Sequence, residues 1–349
     1  QNLRCTNHQN PQRYHQRSGV STIRLDYTST TALRQIAGDA GISHSTMKRR
    51  FSWCWLADVP DHEIGHEGRV YDQVFLDGTY TAGGSLIVAD SLDHDIAWHW
   101  CTRETTRDYQ HLLERIPAPL ITVIDGGQGA ASAIETCWPG TKIQRCLVHA
   151  QRVVRRYTTS RPRTGAGRAI YQLALNLTTI TDLDEAAAWG ATLHEYGTIY
   201  RDWMNQKAFS TDAAHDNDLV GIHERTRKAH NSLNHLWRNL LWLVYLGPPA
   251  GVTNPGRIKS TTNSLEGGVN AQLKLLTRTH RSRSGEHQRR MLEWWLYLEQ
   301  NWGQVQFAKV STLTRSENQA GHETGRPALY DNAVDTNYTH SIDIQKGHI

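Results

Sequence analysis

Short apolar runs separated by Gly- and Asp-rich turns dominate the first half of the chain. Their pattern predicts three consecutive strands, after which helices and strands alternate. The predicted strands are 72–77, 85–91, 95–101, 120–124 and 142–147, and the predicted helices are 105–115, 129–137 and 148–157. This order indicates an α/β fold that has a mixed five-stranded sheet with helices on both faces.

The second half of the chain follows a helical pattern. Between residues 159 and 255 it predicts an all-α insertion, closed by Gly247-Pro248-Pro249. Helical spacing is clear in Leu233, Leu236, Trp237, Leu240, Leu241, Val244 and Leu246. Further helices are expected from Asn263 and, rich in buried Trp, over 291–302.

A pair of short helices is predicted near the start of the chain, over 32–51. Gly41 would supply the turn between them, and Ser43 would cap the second helix, which buries Met47. The exposed face of that helix would carry the basic residues Lys48, Arg49 and Arg50. This pattern favours an N-terminal helix-turn-helix that binds DNA, although an ordinary helical hairpin remains an alternative.

Composition and charge limit the classes of protein that remain. The chain has 349 residues, 38% of them hydrophobic, and no run near the roughly 18 apolar residues that a membrane helix needs. Five widely spaced cysteines without a C-x-x-C pair favour a reducing cytoplasm. The net charge is only +4, but basic residues cluster, for example Arg152, Arg155 and Arg156. Such clusters are suited to binding the polyanionic backbone of a nucleic acid. The alternative is that they form an ordinary solvated surface.

These patterns divide the chain into six segments. They are a polar start (1–25), a helix-turn-helix domain (26–60), a first part of the α/β domain (61–158), the helical insertion (159–255), the remainder of the α/β domain (256–304) and a polar tail (305–349).

Three acidic residues lie in short sequence motifs that are suited to forming one metal site. Asp77 and Asp125 each end a short apolar run and precede Gly, so each is expected at the tip of a buried strand. Glu266 lies in the helix that is expected to begin at Asn263. Carboxylates bind hard cations, and two such ions about 3.5–4 Å apart are a common device for cutting and joining phosphodiester bonds.

Each candidate residue also has a structural interpretation. Asp before Gly is a common turn former. Asn263 and Glu266 have the spacing of a capping box, which would explain Glu266 without a metal. Cys146 and His149 form a C-x-x-H pair, which is too few ligands for a zinc site. His149 could serve as a hydrogen-bond donor or proton carrier near a phosphate, or both side chains could be packed in the core.

A second metal pattern, H-E-x-x-H, occurs at His62-Glu63-Ile64-Gly65-His66. A zinc hydrolase needs this pattern on a helix, so that both His face one ion and Glu reaches its water. Pro60, Gly65 and Gly68 argue against a helix here, so a polar connector is favoured.

Taken together, four phrases carry a resemblance to a known family. FLDGTY at 75–80, VIDGGQGA at 123–130, CLVH at 146–149 and TTNSLEGGVN at 261–270 resemble the acidic triad and C-x-x-H of Mutator-like bacterial insertion-sequence DDE transposases. The resemblance covers roughly 71–158 and 256–300, with a helical insertion between them as in that family. It implies a ribonuclease-H-like catalytic domain.

The resemblance also implies roles for the candidate residues. Asp77 and Asp125 would hold a shared metal ion, and Glu266 would complete a second site. Cys146, His149 and Asn263 would be accessory residues. Such proteins often begin with a zinc ribbon, of which only Cys5 is present here.

The implied activity is DNA strand cleavage and strand transfer of an insertion sequence, dependent on two Mg²⁺ ions for which Mn²⁺ could substitute. The expected partners are double-stranded DNA, as terminal inverted repeats and as target, and a second copy in a homodimer, with no membrane. The expected location is the bacterial cytoplasm, at the nucleoid. The alternatives are a non-catalytic helix-turn-helix DNA-binding protein derived from a transposase, and the zinc hydrolase.

Overall fold

The computed structural model describes residues 33–51, 59, 70–209, 219–239, 242–281 and 283–300. The H-E-x-x-H pattern at 62–66, Cys5 and the polar tail at 305–349 lie outside these residues. Within the described ranges, no helix has both the length and the apolar character needed to cross a membrane.

Two short helices lie where the sequence predicts a helical pair, α1 (Leu33–Asp39) and α2 (His44–Phe51). Gly41 adopts a left-handed backbone, with φ of 63°, in the turn between them. Ser43 Oγ accepts a backbone N–H of α2 at 3.1 Å, as the predicted cap requires. Met47 is buried between the two helices. The helices are therefore present, and their binding of DNA stays a prediction.

The central element is a five-stranded mixed sheet, with strand order β3-β2-β1-β4-β5. Its strands are β1 (Gln73–Thr81), β2 (Gly84–Asp90), β3 (Asp95–Cys101), β4 (Ile121–Ile124) and β5 (Lys142–Arg145). The first three pair antiparallel, while β4 and β5 run parallel to β1. The predicted α/β fold with a mixed five-stranded sheet is confirmed.

The remaining elements follow the sheet or alternate with its strands. In chain order the helices are α3 (Thr106–Leu113), α4 (Gln128–Cys137), α5 (Leu147–Thr158), α6 (Gly165–Asn176), α7 (Leu183–Ile199), α8 (Arg201–Met204), α9 (Glu224–Arg238), α10 (Asn263–Gly267), α11 (Val269–Thr279) and α12 (Gly285–Gln300). A second, two-stranded sheet is formed by β6 (Lys207–Phe209) and β7 (Leu219–Gly221).

Strand β1 is longer than the sequence predicts, and this changes the position of Asp77. The prediction placed Asp77 at the tip of a strand, but β1 continues to Thr81 because its second half pairs with β2. Only the first half of β1, from Gln73 to Phe75, pairs with β4. Asp77 therefore lies inside a strand, just beyond the end of the parallel pairing.

The two faces of the sheet are buried by different helices, because side chains alternate along a strand. Phe75 and Val123 belong to a core with side chains of α10, α11 and α12. Val74 and Ile124 belong to a second core with side chains of α3 and α4. Full burial of such side chains contributes about 1.5–3 kcal/mol each, so both faces stabilise the sheet.

The region between the sheet and α10 differs from the all-α prediction in two ways. The β6–β7 pair interrupts its helices. Helix α9 also ends at Arg238, so Val244 and Leu246 are not part of it, and Leu240 and Leu241 lie outside the described residues. A third core, which includes Trp189, Trp242 and residues of α5, holds these helices together. The apolar pattern of the sequence continues past the end of α9 because the turn that follows this helix is also buried against the third core.

A pair of carboxyl groups is buried in the β2–β3 hairpin. Asp90 and Asp95 are cross-strand partners, and these residues are only 6% and 7% exposed. Burial, followed by the charge of Asp95 and that of Asp93, raises the pKa of Asp90 to about 8. An acid whose pKa is higher in the folded state loses stabilisation as pH rises, since the unfolded chain gives up its proton first. This pair should therefore destabilise the protein increasingly between about pH 4 and about pH 8.

We expect Asp90→Asn to raise the free energy of unfolding at pH 8 by roughly 1–3 kcal/mol, because the amide resembles the protonated acid and stays neutral. The gain should shrink towards pH 4. Denaturant unfolding at several pH values measures it, with the exposed Asp39→Asn as control. Parallel pH curves for the Asp90 variant and the original chain would contradict a buried, protonated Asp90.

Candidate active site

Asp77 and Asp125 come from two neighbouring strands of the sheet. Phe75 of β1 lies opposite Val123 of β4, and continuing this parallel register by two residues brings Asp77 level with Asp125. Residues two apart share one face of a strand, so both acids lie on the face of Phe75 and Val123. That is the face covered by α10–α12.

Glu266 reaches this region from α10. Leu265 is fully buried in the core formed with Phe75 and Val123, which anchors the helix. The start of α10 is tied to the start of α5, since Leu147 N donates to Ser260 O at 3.1 Å. The first turns of two helices far apart in sequence are thereby held side by side.

The capping box considered for Asn263 and Glu266 does not form. Thr262 holds the N-cap position of α10, and Asn263 is the first helical residue, with an exposed side chain. The Glu266 carboxylate instead lies near the Thr262 hydroxyl, which donates to Oε1 at 3.3 Å. Gly268 separates α10 from α11, and a Cβ at that position would lie 2.7 Å from Ser264 O. The Gly pair is thus explained in part by this close turn of the chain.

Arg152 of α5 binds the Glu266 carboxylate with both arms of its guanidinium. Nη1 lies 2.9 Å from Oε1, and Nη2 lies 2.7 Å from Oε2. His149 Nε2 is 3.5 Å from the same Oε1. Burial acts to raise the pKa of Glu266, but the hydrogen bond and charge of Arg152, with His149, hold it below its usual value. Glu266 is therefore an ionised carboxylate whose oxygens are already engaged.

Of the three acids, Asp77 is the one whose charged form is most strongly disfavoured by its surroundings. Burial is the main cause that raises its pKa to about 6, and the charges of Asp125 and Glu266 raise it further, against the effect of His149. Both acids are thus close enough for their charges to act on Asp77. Asn270 Nδ2 donates to Asp77 Oδ2 at 2.7 Å, which fixes one oxygen of the carboxylate.

Asp125 follows β4 directly and turns the chain into α4. Its Oδ1 accepts the Gly127 N–H at 2.7 Å. Gly126 has φ of 93°, and a Cβ there would lie 0.5 Å from Arg145 Nη1, so the guanidinium fills the space above this glycine. Burial lowers the pKa of Arg145, while the charge of Asp125 acts to raise it. Within the described part of the chain, Arg145 forms no ion pair or side-chain hydrogen bond.

Cys146 and His149 support the joint between α5 and α10. Cys146 is fully buried, and its Sγ accepts the Thr262 N–H at 3.3 Å. Burial acts to raise the pKa of Cys146, but hydrogen bonds from His149 and Thr262 lower it. The C-x-x-H pair therefore links the end of β5 to α10, the helix that carries Glu266. Of the two side chains, His149 is the one that faces the acids.

The three acids suit a hard divalent cation in kind but do not enclose one as their side chains stand. No group of three His, Cys, Asp or Glu side chains in the described ranges is close enough to hold an ion. The contacts explain this. Arg152 takes both oxygens of Glu266, and Asn270 and Gly127 each take one oxygen from Asp77 and Asp125.

The predicted DNA-binding residues occupy two places. Lys48 and Arg49 are exposed on α2, and the side chain of Arg50, also in α2, is outside the described part. Arg152, Arg155 and Arg156 are exposed on α5, at helical spacings that share one side of the helix. This basic side begins beside the acids, at Arg152.

Sequence reasoning missed several residues around the acids. Asn270 stands at the end of the quoted TTNSLEGGVN phrase, and its Oδ1 accepts from Thr79 Oγ1 at 3.2 Å. Lys274, four residues later on the same side of α11, lowers the pKa of both Asp77 and Glu266. Arg145 directly precedes the C-x-x-H pair. The sequence signal for Asn270 is a polar residue at a position that the helical pattern places on the buried face. The sequence carries no such signal for Arg145 or Lys274.

A cavity in the described part of the chain lies away from the three acids. It has a volume of about 260 Å³ and is lined by Tyr71, Gln73, Ser91, Thr253 and Arg257. These residues surround the start of β1, before the stretch that carries Asp77, so the cavity is separate from the acids. Its polar groups are largely paired with one another, for example Arg257 with Asp93 at 3.0 Å.

Comparisons with known proteins do not assign the chain to a family. No protein-family model matches the sequence, and the search of curated proteins finds no match.

Proposed function

We propose that this protein is a DDE transposase that cleaves DNA strands and transfers them in a Mg²⁺-dependent reaction. The observation that carries the proposal is the approach of three acids from β1, β4 and α10, with Asp125 and Glu266 both raising the pKa of Asp77. A bound cation would relieve the cost of burial and of the neighbouring acids that raises the pKa of Asp77, and Asp77, unlike the buried Asp90, also faces acids from two other elements. The mixed sheet with antiparallel β1–β3 and parallel β4 and β5 is compatible with a ribonuclease-H-like domain.

Under this proposal Asp77, Asp125 and Glu266 would hold two Mg²⁺ ions, or Mn²⁺ in their place. When bound, such ions activate a water or a 3′-hydroxyl and stabilise the leaving oxygen. The residues of the chain supply positioning. Asn270 fixes Asp77 through one oxygen and leaves the other available. Arg145 and the exposed residues Arg155 and Arg156 would bind backbone phosphates and hold the strand in line.

Recognition of the element would fall to α1 and α2. A second helix that exposes Lys48 and Arg49 is suited to the major groove, where base edges are read. The substrates would be terminal inverted repeats and target DNA, and the active form would be a homodimer at the bacterial nucleoid.

One observation favours a second candidate, a non-catalytic helix-turn-helix DNA-binding protein derived from a transposase. Glu266 is bound by Arg152, and the described residues hold no ready group of three metal ligands. A decayed enzyme would keep its basic surfaces and lose metal-dependent cleavage. Mg²⁺-dependent nicking separates the two candidates.

We expect Asp77→Asn to reduce cleavage by roughly three orders of magnitude or more, since a lost ligand removes several kcal/mol of charge stabilisation. DNA binding should stay nearly unchanged, because the basic residues are intact. The measurement is nicking of a supercoiled plasmid that carries the gene with its flanking DNA, with and without Mg²⁺. The exposed Asp202→Asn on α8 serves as control. Full cleavage by Asp77→Asn would contradict the assigned role, and no nicking by the original chain would favour the non-catalytic candidate.

We expect Arg145→Gln to weaken DNA binding and to reduce the slope of log K against log salt by about one, the signature of one lost phosphate contact. The exposed Arg201→Gln on α8 should leave the slope unchanged. Fluorescence anisotropy of a short duplex over a range of salt concentrations measures both. An unchanged slope for Arg145→Gln would mean that this guanidinium serves only to support the turn at Gly126.

A further inference from the structure

Arg152 and Glu266 are bound to each other, although the proposed function needs each of them elsewhere. The carboxylate would have to bind a metal ion, and the guanidinium, on the basic side of α5, would have to bind DNA. The present contact satisfies neither role, since it uses both carboxylate oxygens and two arms of the guanidinium.

We propose that Arg152 is a DNA-responsive positioning residue that holds Glu266 away from the metal until a backbone phosphate replaces it. This inference rests on the proposed function. Without DNA, the guanidinium neutralises the carboxylate. With DNA, a phosphate binds the guanidinium and Glu266 becomes free to complete the metal site.

The exposure of the two side chains permits this exchange. The Arg152 side chain is 51% exposed, whereas that of Glu266 is only 14% exposed. A phosphate can therefore approach Arg152 from solvent without rearrangement of the core. Guanidinium groups bind carboxylate and phosphate with the same two-pronged geometry, so one anion can take the place of the other.

Neighbouring groups would keep Glu266 close to the other acids after Arg152 leaves. His149 Nε2 lies 3.5 Å from Oε1, and the Thr262 hydroxyl donates to the same oxygen at 3.3 Å. The other oxygen, Oε2, contacts Arg152 Nη2 at 2.7 Å, and among the described residues no other side chain binds it. Loss of Arg152 would thus free this oxygen first, while α10 stays anchored through Leu265.

The exchange makes DNA binding and metal binding strengthen each other, because coupling between two ligands is reciprocal. It also explains why the acids, although close enough to repel, do not form a metal site in the chain by itself. The metal site would be completed only where a substrate strand is present.

The test measures Mn²⁺ binding by the whole protein, using electron paramagnetic resonance of free Mn²⁺, with and without a short duplex at low salt. Duplex alone supplies the correction for Mn²⁺ bound by DNA. We expect the original chain to bind Mn²⁺ about 5–10-fold more tightly with DNA, a typical coupling. Arg152→Gln should bind Mn²⁺ more tightly without DNA and gain little from it.

Two further variants serve as controls for the change in net charge and for Mn²⁺ attracted by the charge of the DNA. Arg152→Lys keeps the charge but loses the fork, so it should also bind Mn²⁺ more tightly than the original chain without DNA. The exposed Arg201→Gln removes one positive charge elsewhere and should retain the full gain from DNA.

The outcomes distinguish this inference from the proposed function. If the original chain binds Mn²⁺ equally with and without DNA, and both Arg152 variants match it, the exchange is overturned and the metal site stands. If the Arg152 variants lose Mn²⁺ binding, Arg152 supports the ligands and the exchange is likewise overturned. If neither the original chain nor any of the variants binds Mn²⁺, with or without DNA, the proposed function itself fails.

Discussion

The parallel pairing of β1 with β4 is the interaction on which the candidate site depends. It joins two strands that are separated in sequence by β2, β3 and α3, and it aligns Phe75 with Val123. The same register sets Asp77 beside Asp125 on the face covered by α10–α12. A slip by one residue would turn one acid to the opposite face, so the pairing fixes the site as well as the sheet.

A balance of charge is the second constraint on this region. Three acids gathered beside the central strands β1 and β4 repel one another. Burial is the main cause of the raised pKa of Asp77, and the charges of Asp125 and Glu266 add to it. Among the described residues, opposing charges come from His149, Arg152, Lys274 and Arg145. Under the proposed function, a divalent cation and a DNA phosphate would together satisfy both sets of charges.

The sequence predicts the order and type of the sheet elements because apolar periodicity reports burial directly. It places Asp77 at a strand tip, which is wrong, because pairing with β2 extends β1 to Thr81 and such pairing has no local signal. The continuous apolar pattern after Arg238 likewise reports burial in a turn, not a longer helix. Contacts such as Arg152 with Glu266, 114 residues apart, depend on how α5 and α10 pack and cannot be derived from spacing.

The most direct test of the central claim is a crystal structure of the protein with duplex DNA and Mn²⁺, in which anomalous scattering locates the ions. The account predicts Mn²⁺ peaks in contact with Asp77 and Asp125, with Glu266 turned from Arg152 towards an ion. Peaks absent from this region, or found only elsewhere, such as beside Asp90 and Asp95, would contradict it.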